Sequence, residues 1–73
     1  ILVSAGFDAH ADDPLGDLRL DEADYAWMAR QILAVARDCC PGRVVAMLEG
    51  GYALQALAGS VEAFVQPFVD AAE

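Results

Sequence analysis

Lysine is missing from this chain, and its basic residues are four arginines set against twelve acids, a net charge of −8. That balance repels phosphate backbones and anionic lipid and withholds the cationic contacts that nucleic acids need, so no nucleic-acid role is expected. Long apolar runs are missing too. Arg19, Arg30, Arg37, Asp38 and Arg43 interrupt every candidate span well before about 18 apolar residues accumulate, which argues against a membrane-crossing helix. Cysteine is confined to the adjacent pair Cys39 and Cys40, a poor geometry for bridging each other and no framework for stapling distant segments. A reducing, cytoplasmic setting is the expectation. No stretch reads as a signal peptide, a low-complexity tract or an internal repeat.

What is present is apolar. At 58% hydrophobic residues the chain is too rich for a disordered tail, yet 73 residues make at most one small domain. A core of that size supplies only about 3–5 kcal/mol of net stability without disulfides, metal or a partner. The first residue is Ile1, not methionine, and it reads as the start of a strand; the expectation is a piece of something longer.

Ile1 to Ala5 is a continuous apolar run ending at Gly6, the pattern of a strand buried on both faces in a parallel sheet. Residues 6–20 form a long polar loop punctuated by Gly6, Pro14 and Gly16. From Asp21 the period changes. Tyr25, Met28, Ala29, Ile32, Val35, Ala36 and Cys39 recur at spacings of three and four, a single helical stripe. Asp21 is its N-cap, Glu22 and Asp24 suit the positive helix end, and Cys40-Pro41-Gly42 stops it. Arg43 to Leu48 is a second buried strand, followed at once by "EGGY". Leu54, Leu57, Ala58, Val61, Phe64, Val65 and Phe68 then recur at helical spacing, with a kink or restart expected at Pro67. The order strand, loop, helix, strand, tight loop, helix predicts a parallel β-α-β-α unit with a right-handed crossover. Both loops would then leave the same edge of the sheet, where α/β folds place their chemistry.

Three side chains on those loops could act. Asp8, just past a strand, is either a hard-oxygen ligand for a metal such as zinc or a loop carboxylate accepting backbone amides. His10 could be a second ligand but reads better as a hydrogen-bonded rim residue, Asp13 as a brace for the "DDPLG" turn, and Asp12 as solvated. Tyr52 follows two glycines that allow a sharp turn and a close approach. Its hydroxyl can donate to a developing oxyanion, or the ring can simply pack on the second helix with its hydroxyl in water. "EGGYAL" lacks the spaced third glycine and the lysine of nucleotide-binding signatures, and Glu49 would repel phosphate. No Ser or Cys stands at a useful spacing from a histidine, so a nucleophilic triad is unsupported.

"VSAGFDAHADDPLG", followed by "VVAMLEGGY", resembles the C-terminal part of the histone deacetylase and acetylpolyamine amidohydrolase superfamily, most of all its class II and bacterial branch. The resemblance covers Ile1 to about Phe68, and the two motifs in this order are far more specific than either alone. It implies an arginase-deacetylase type three-layer α/β fold, of which residues 1–73 would be a C-terminal segment, and hydrolysis of an acetyl-amide at one zinc. It further implies that Asp8 is a zinc ligand, that Tyr52 polarises the amide carbonyl, and that Leu15 and Gly51 line the acyl channel. The family's paired catalytic histidines and its Asp-x-His ligands lie upstream of this segment, and Asp8-Ala9-His10 only imitates the latter. The chain alone is therefore expected to be inactive and to depend on the remainder of the deacetylase domain. The alternative is a stand-alone, non-catalytic module that works by self-association through its unpaired strand edges. Acetyl-lysine and acetylated polyamines are both open as substrates of the parent.

Overall fold

A computed structural model describes residues 1–72. Strand β1 (Leu2–Ala5), helix α1 (Glu22–Cys39), strand β2 (Val45–Leu48) and helix α2 (Leu54–Ala72) follow one another in the predicted order. The strands pair in parallel, Leu2 with Val45 through Ala5 with Leu48.

Helix α1 starts where its capping chemistry allows. The Asp21 carboxylate accepts the Asp24 amide at 3.1 Å, and the Asp24 carboxylate returns the bond to the Asp21 amide at 2.9 Å. This reciprocal pair gives side-chain partners to two amides at the start of the helix, where the regular ladder has not yet begun. At the other end the Cys40 amide closes on the Ala36 carbonyl, and Gly42 takes a positive φ of 74°. Along the stripe, Tyr25, Ala29 and Ala36 are buried, while Val35 stands out in solvent. Helix α2 continues through Pro67, so the restart expected there does not occur. Proline removes one helical bond, but Phe64 and Phe68, one turn apart and spanning it, pack with tilted rings whose centroids lie 5.4 Å apart.

Phe7, Tyr25, Ala29 and Phe64 form the core, with Val3, Ala5, Leu20, Met28, Ile32, Leu57 and Val61 packed around them. The Phe7 ring lies 4.9 Å from Tyr25 and 5.9 Å from Phe64, so a single aromatic just past β1 joins both helices to the sheet. Both helices thus cover the face bearing Val3 and Ala5. The expectation of strands buried on both faces does not hold within this chain. Leu2 is 85% and Met47 67% exposed, and every residue of β2 lies open. Alternation explains part of it, because Leu2, Ser4, Val45 and Met47 point away from the helical layer; Ala46 and Leu48 alternate to the helical side and stay exposed because the core packs against Val3 and Ala5 of β1 instead.

Candidate functional site

The site is assembled where the strands end. The ladder continues past both strands, as the Glu49 amide donates to the Ala5 carbonyl at 3.0 Å and the Phe7 amide to the Gly50 carbonyl at 2.7 Å. The two loops therefore leave the sheet side by side, as the parallel order requires.

Asp8 projects from the first loop against the glycines of both. A Cβ on either Gly6 or Gly50 would fall 3.1 Å from its Oδ1, so the absence of those side chains leaves the carboxylate its place. Asp8 is exposed, and among the described residues its carboxylate accepts no hydrogen bond. A carboxylate held just past the end of β1 and not consumed internally fits one ligand position of a divalent cation. Among the described residues no group of three or more His, Cys, Asp or Glu converges, so Asp8 offers one ligand and no complete cage.

Asp13, by contrast, is spoken for. It is 7% exposed; Oδ1 accepts the Leu15 and Gly16 amides at 2.8 and 2.9 Å, and Oδ2 accepts the Tyr52 amide at 2.7 Å. Burial pushes its carboxyl up, but the amides of Tyr52, Leu15, Gly16 and Ala53 outweigh that and hold it below its ordinary value. The loop brace read from "DDPLG" is present, and it reaches the second loop as well. Nothing local in the sequence could have revealed that partner, 39 positions away.

His10 is buried, with both ring nitrogens engaged. Nδ1 accepts the Asp12 amide at 3.0 Å, which leaves Nε2 to donate to the Glu22 carboxylate at 2.9 Å. Such a ring has no lone pair free for a metal. Its bond belongs to the join between the first loop and the start of α1, and the backbone hydrogen bond of Glu22 together with this imidazole lowers the Glu22 carboxyl. Asp12 is solvated, its side chain 79% exposed.

Tyr52 is 52% exposed, and Leu15, 73% exposed, lies beyond the Asp13 carboxylate that holds both backbones. Gly51 has a φ of +142°, and a Cβ there would lie 2.7 Å from Leu57 Cδ1 and 3.3 Å from Phe7 Cβ. Only glycine lets this turn close on the core. Gly16 is tighter still, since its Cβ would fall within 1.7 Å of the Asp8 carbonyl oxygen. Asp8, Leu15, Gly51 and Tyr52 are thus carried by two loops locked together. Beneath them the Tyr25 hydroxyl, buried and without a hydrogen-bond partner among the described residues, has its acidity suppressed by burial first and by the Asp8 charge second. Helical periodicity marked Tyr25 only as core; its closeness to Asp8 left no sequence signal.

The sequence matches the family of the histone deacetylase domain over residues 1–68. The chain belongs to that family. It is 51% identical over 61 residues to the chloroplastic histone deacetylase 14 of Arabidopsis thaliana, covering 84% of this chain and 14% of that protein. A probable deacetylase of Archaeoglobus fulgidus is 47% identical over 55 residues, 75% of this chain and 15% of its own length. The crystal structure of an HDA15 HD domain superposes with a TM-score of 0.77 at 36% identity, covering 90% of this chain and 18% of that one. The β-α-β-α unit is therefore an α/β segment of the histone deacetylase fold, spanning about one-seventh of the length of the first of these relatives.

Proposed function

We propose that this segment supplies the Asp8 and Tyr52 arms of a zinc-dependent amidohydrolase site that removes acetyl groups from acetylated amines. The observation that carries the reading is the unconsumed Asp8 carboxylate seated on Gly6 and Gly50, one residue from the turn that presents Tyr52. Zinc, when bound, supplies Lewis-acid polarisation of the amide carbonyl and a water of lowered pKa. Asp8 contributes one negative ligand on a loop fixed to the sheet. Tyr52 extends its phenol into solvent from the adjacent loop, a donor suited to carbonyl oxygen where negative charge grows. Leu15 and Gly51 border the path of the acyl chain. Water adds to the carbonyl carbon, the C–N bond breaks, and acetate and the free amine leave; acetyl-lysine and acetylpolyamines share this chemistry. Residues outside this segment would supply the other ligands and the acid and base groups, so the segment alone is inactive. No described helix is long and apolar enough to cross a membrane; from the free thiols of Cys39 and Cys40 we place the parent in a reducing, cytoplasmic setting.

A second reading is favoured by a different observation, the bare apolar face of Leu2, Val45 and Met47. Isolated, the chain self-associates through that face or its strand edges.

The test uses the complete reading frame, assayed on an acetyl-lysine peptide and on an acetylated polyamine. Turnover should be abolished by a chelator and restored by zinc, and Asp8→Ala should lose both bound zinc and activity. A variant lacking Asp8 that retains both would overturn the assignment.

A further inference from the structure

We infer that Asp13 is the positioning residue of this rim: its buried carboxylate fixes the Tyr52 backbone relative to Leu15 and, through Gly16, relative to the Asp8 loop. Its effect on turnover rests on the deacetylase reading above; its effect on geometry does not.

Each of these ties is a direct contact. Oδ2 takes the Tyr52 amide at 2.7 Å and Oδ1 takes those of Leu15 and Gly16. Gly16 in turn has its α-carbon pressed so closely on the Asp8 carbonyl that no side chain fits between them. One carboxyl group therefore spans two loops that meet nowhere else by a side-chain hydrogen bond among the described residues. Helix α2 explains why a carboxylate is needed. It begins at Leu54, has no acid in its first turn, and is preceded by Ala53, a poor cap. Asp13 supplies from the other loop the negative charge that this helix end lacks, beside the amides of Tyr52 and Ala53. A residue that faces the substrate side of the loop with its phenol is thus gripped from behind by its own amide. Among the described residues no other side chain holds the Tyr52 backbone by a hydrogen bond, and its ring stands half in solvent.

The decisive variant is Asp13→Asn in the complete protein. Asn has nearly the same shape but one acceptor oxygen, so it can serve Tyr52 or the Leu15 and Gly16 amides but not both. The expected result is a fall in kcat of roughly 10- to 100-fold with KM within about threefold, because a tyrosine misplaced by an ångström still admits substrate. Amide hydrogen exchange should accelerate about tenfold or more at Tyr52 and Ala53 and stay unchanged at Ala29 and Ile32 of α1. An unchanged kcat, or acceleration spread equally over α1, would overturn the inference, the latter by making Asp13 a general support of the fold. If the unaltered protein turns over no acetyl amide, the deacetylase reading falls and exchange alone decides: Tyr52 protection unmoved by Asp13→Asn contradicts the bracing itself. If that variant does not fold, the unaltered protein decides. Its Tyr52 amide should exchange roughly 100-fold slower than an unstructured one, and a freely exchanging amide would sink the proposal.

Discussion

Two regions of this molecule stand in opposite condition. Where the strands end, two loops interlock over four glycines: Asp13 is hydrogen-bonded on both oxygens, His10 on both nitrogens, and Phe7 seals the core below. On the sheet face turned from the helices, Leu2, Val45 and Met47 are largely exposed with nothing to cover them. The first region is built from contacts this segment makes with itself. The second has the apolar composition of an interior without its burial, and so calls for a further layer. A site can therefore be shaped locally while the element beneath it relies on surroundings outside the segment.

The contrast can be broken most severely at Phe7. Phe7→Ala removes the ring that joins Tyr25 and Phe64 and should cost about 3–5 kcal/mol, comparable to the whole stability of so small a core. Circular dichroism of the isolated chain should then show loss of the helical signal; a cooperative melt near that of the parent would mean that the core lies elsewhere. Next in size is Tyr52→Phe in the complete protein, expected to lower kcat roughly 100- to 1,000-fold, or about 3–4 kcal/mol, with substrate and zinc binding retained. Equal turnover would remove the phenol from the chemistry. On the bare face, replacing Met47 with Glu should reduce self-association in sedimentation while moving stability by no more than about 0.5 kcal/mol. Unchanged association would relocate the contact to the strand edges.

The smallest effect is on pH. Asp13 and Glu22 both have carboxyls held below their ordinary values in the fold, by backbone amides for the one and by its own backbone and His10 for the other. For an acid of depressed pKa the folded state binds fewer protons than the unfolded one. The stabilisation is therefore present above the ordinary carboxylate range, about pH 4, and is lost as pH falls through the folded values. Urea midpoints should be flat from pH 7 to 5 and decline below about 4. Asp13→Asn should shrink that decline, and an undiminished decline would assign it to other groups.

Much of the fold was legible because its signals are local. The α1 stripe, its Asp21 cap and its Cys40-Pro41-Gly42 stop lie within a few residues of what they control, and "DDPLG" announces a braced turn by itself. The resemblance in "SAGFDAHADDPLG" and "EGGY" pointed to the family and to the residues of the rim. What stayed hidden depends on distance or on surroundings. The tie from Asp13 to Tyr52 crosses 39 positions, and the second partner of His10 is Glu22 on the next element. Apolar runs such as "VVAML" report what a strand is suited to, not what covers it, and so β2 reads as buried while standing open. At Pro67 the expected restart does not occur, because propensity weighs one lost bond but cannot see the tilted Phe64–Phe68 contact that spans it.

The most direct test is a crystal structure of the complete protein with zinc and a non-hydrolysable acetyl-lysine analogue, the metal located by its anomalous scattering. Zinc is expected at bonding distance from Asp8, with the Tyr52 hydroxyl turned to the analogue's carbonyl oxygen. A metal bound away from Asp8, or a Tyr52 hydroxyl facing away from the analogue, would contradict the assignment.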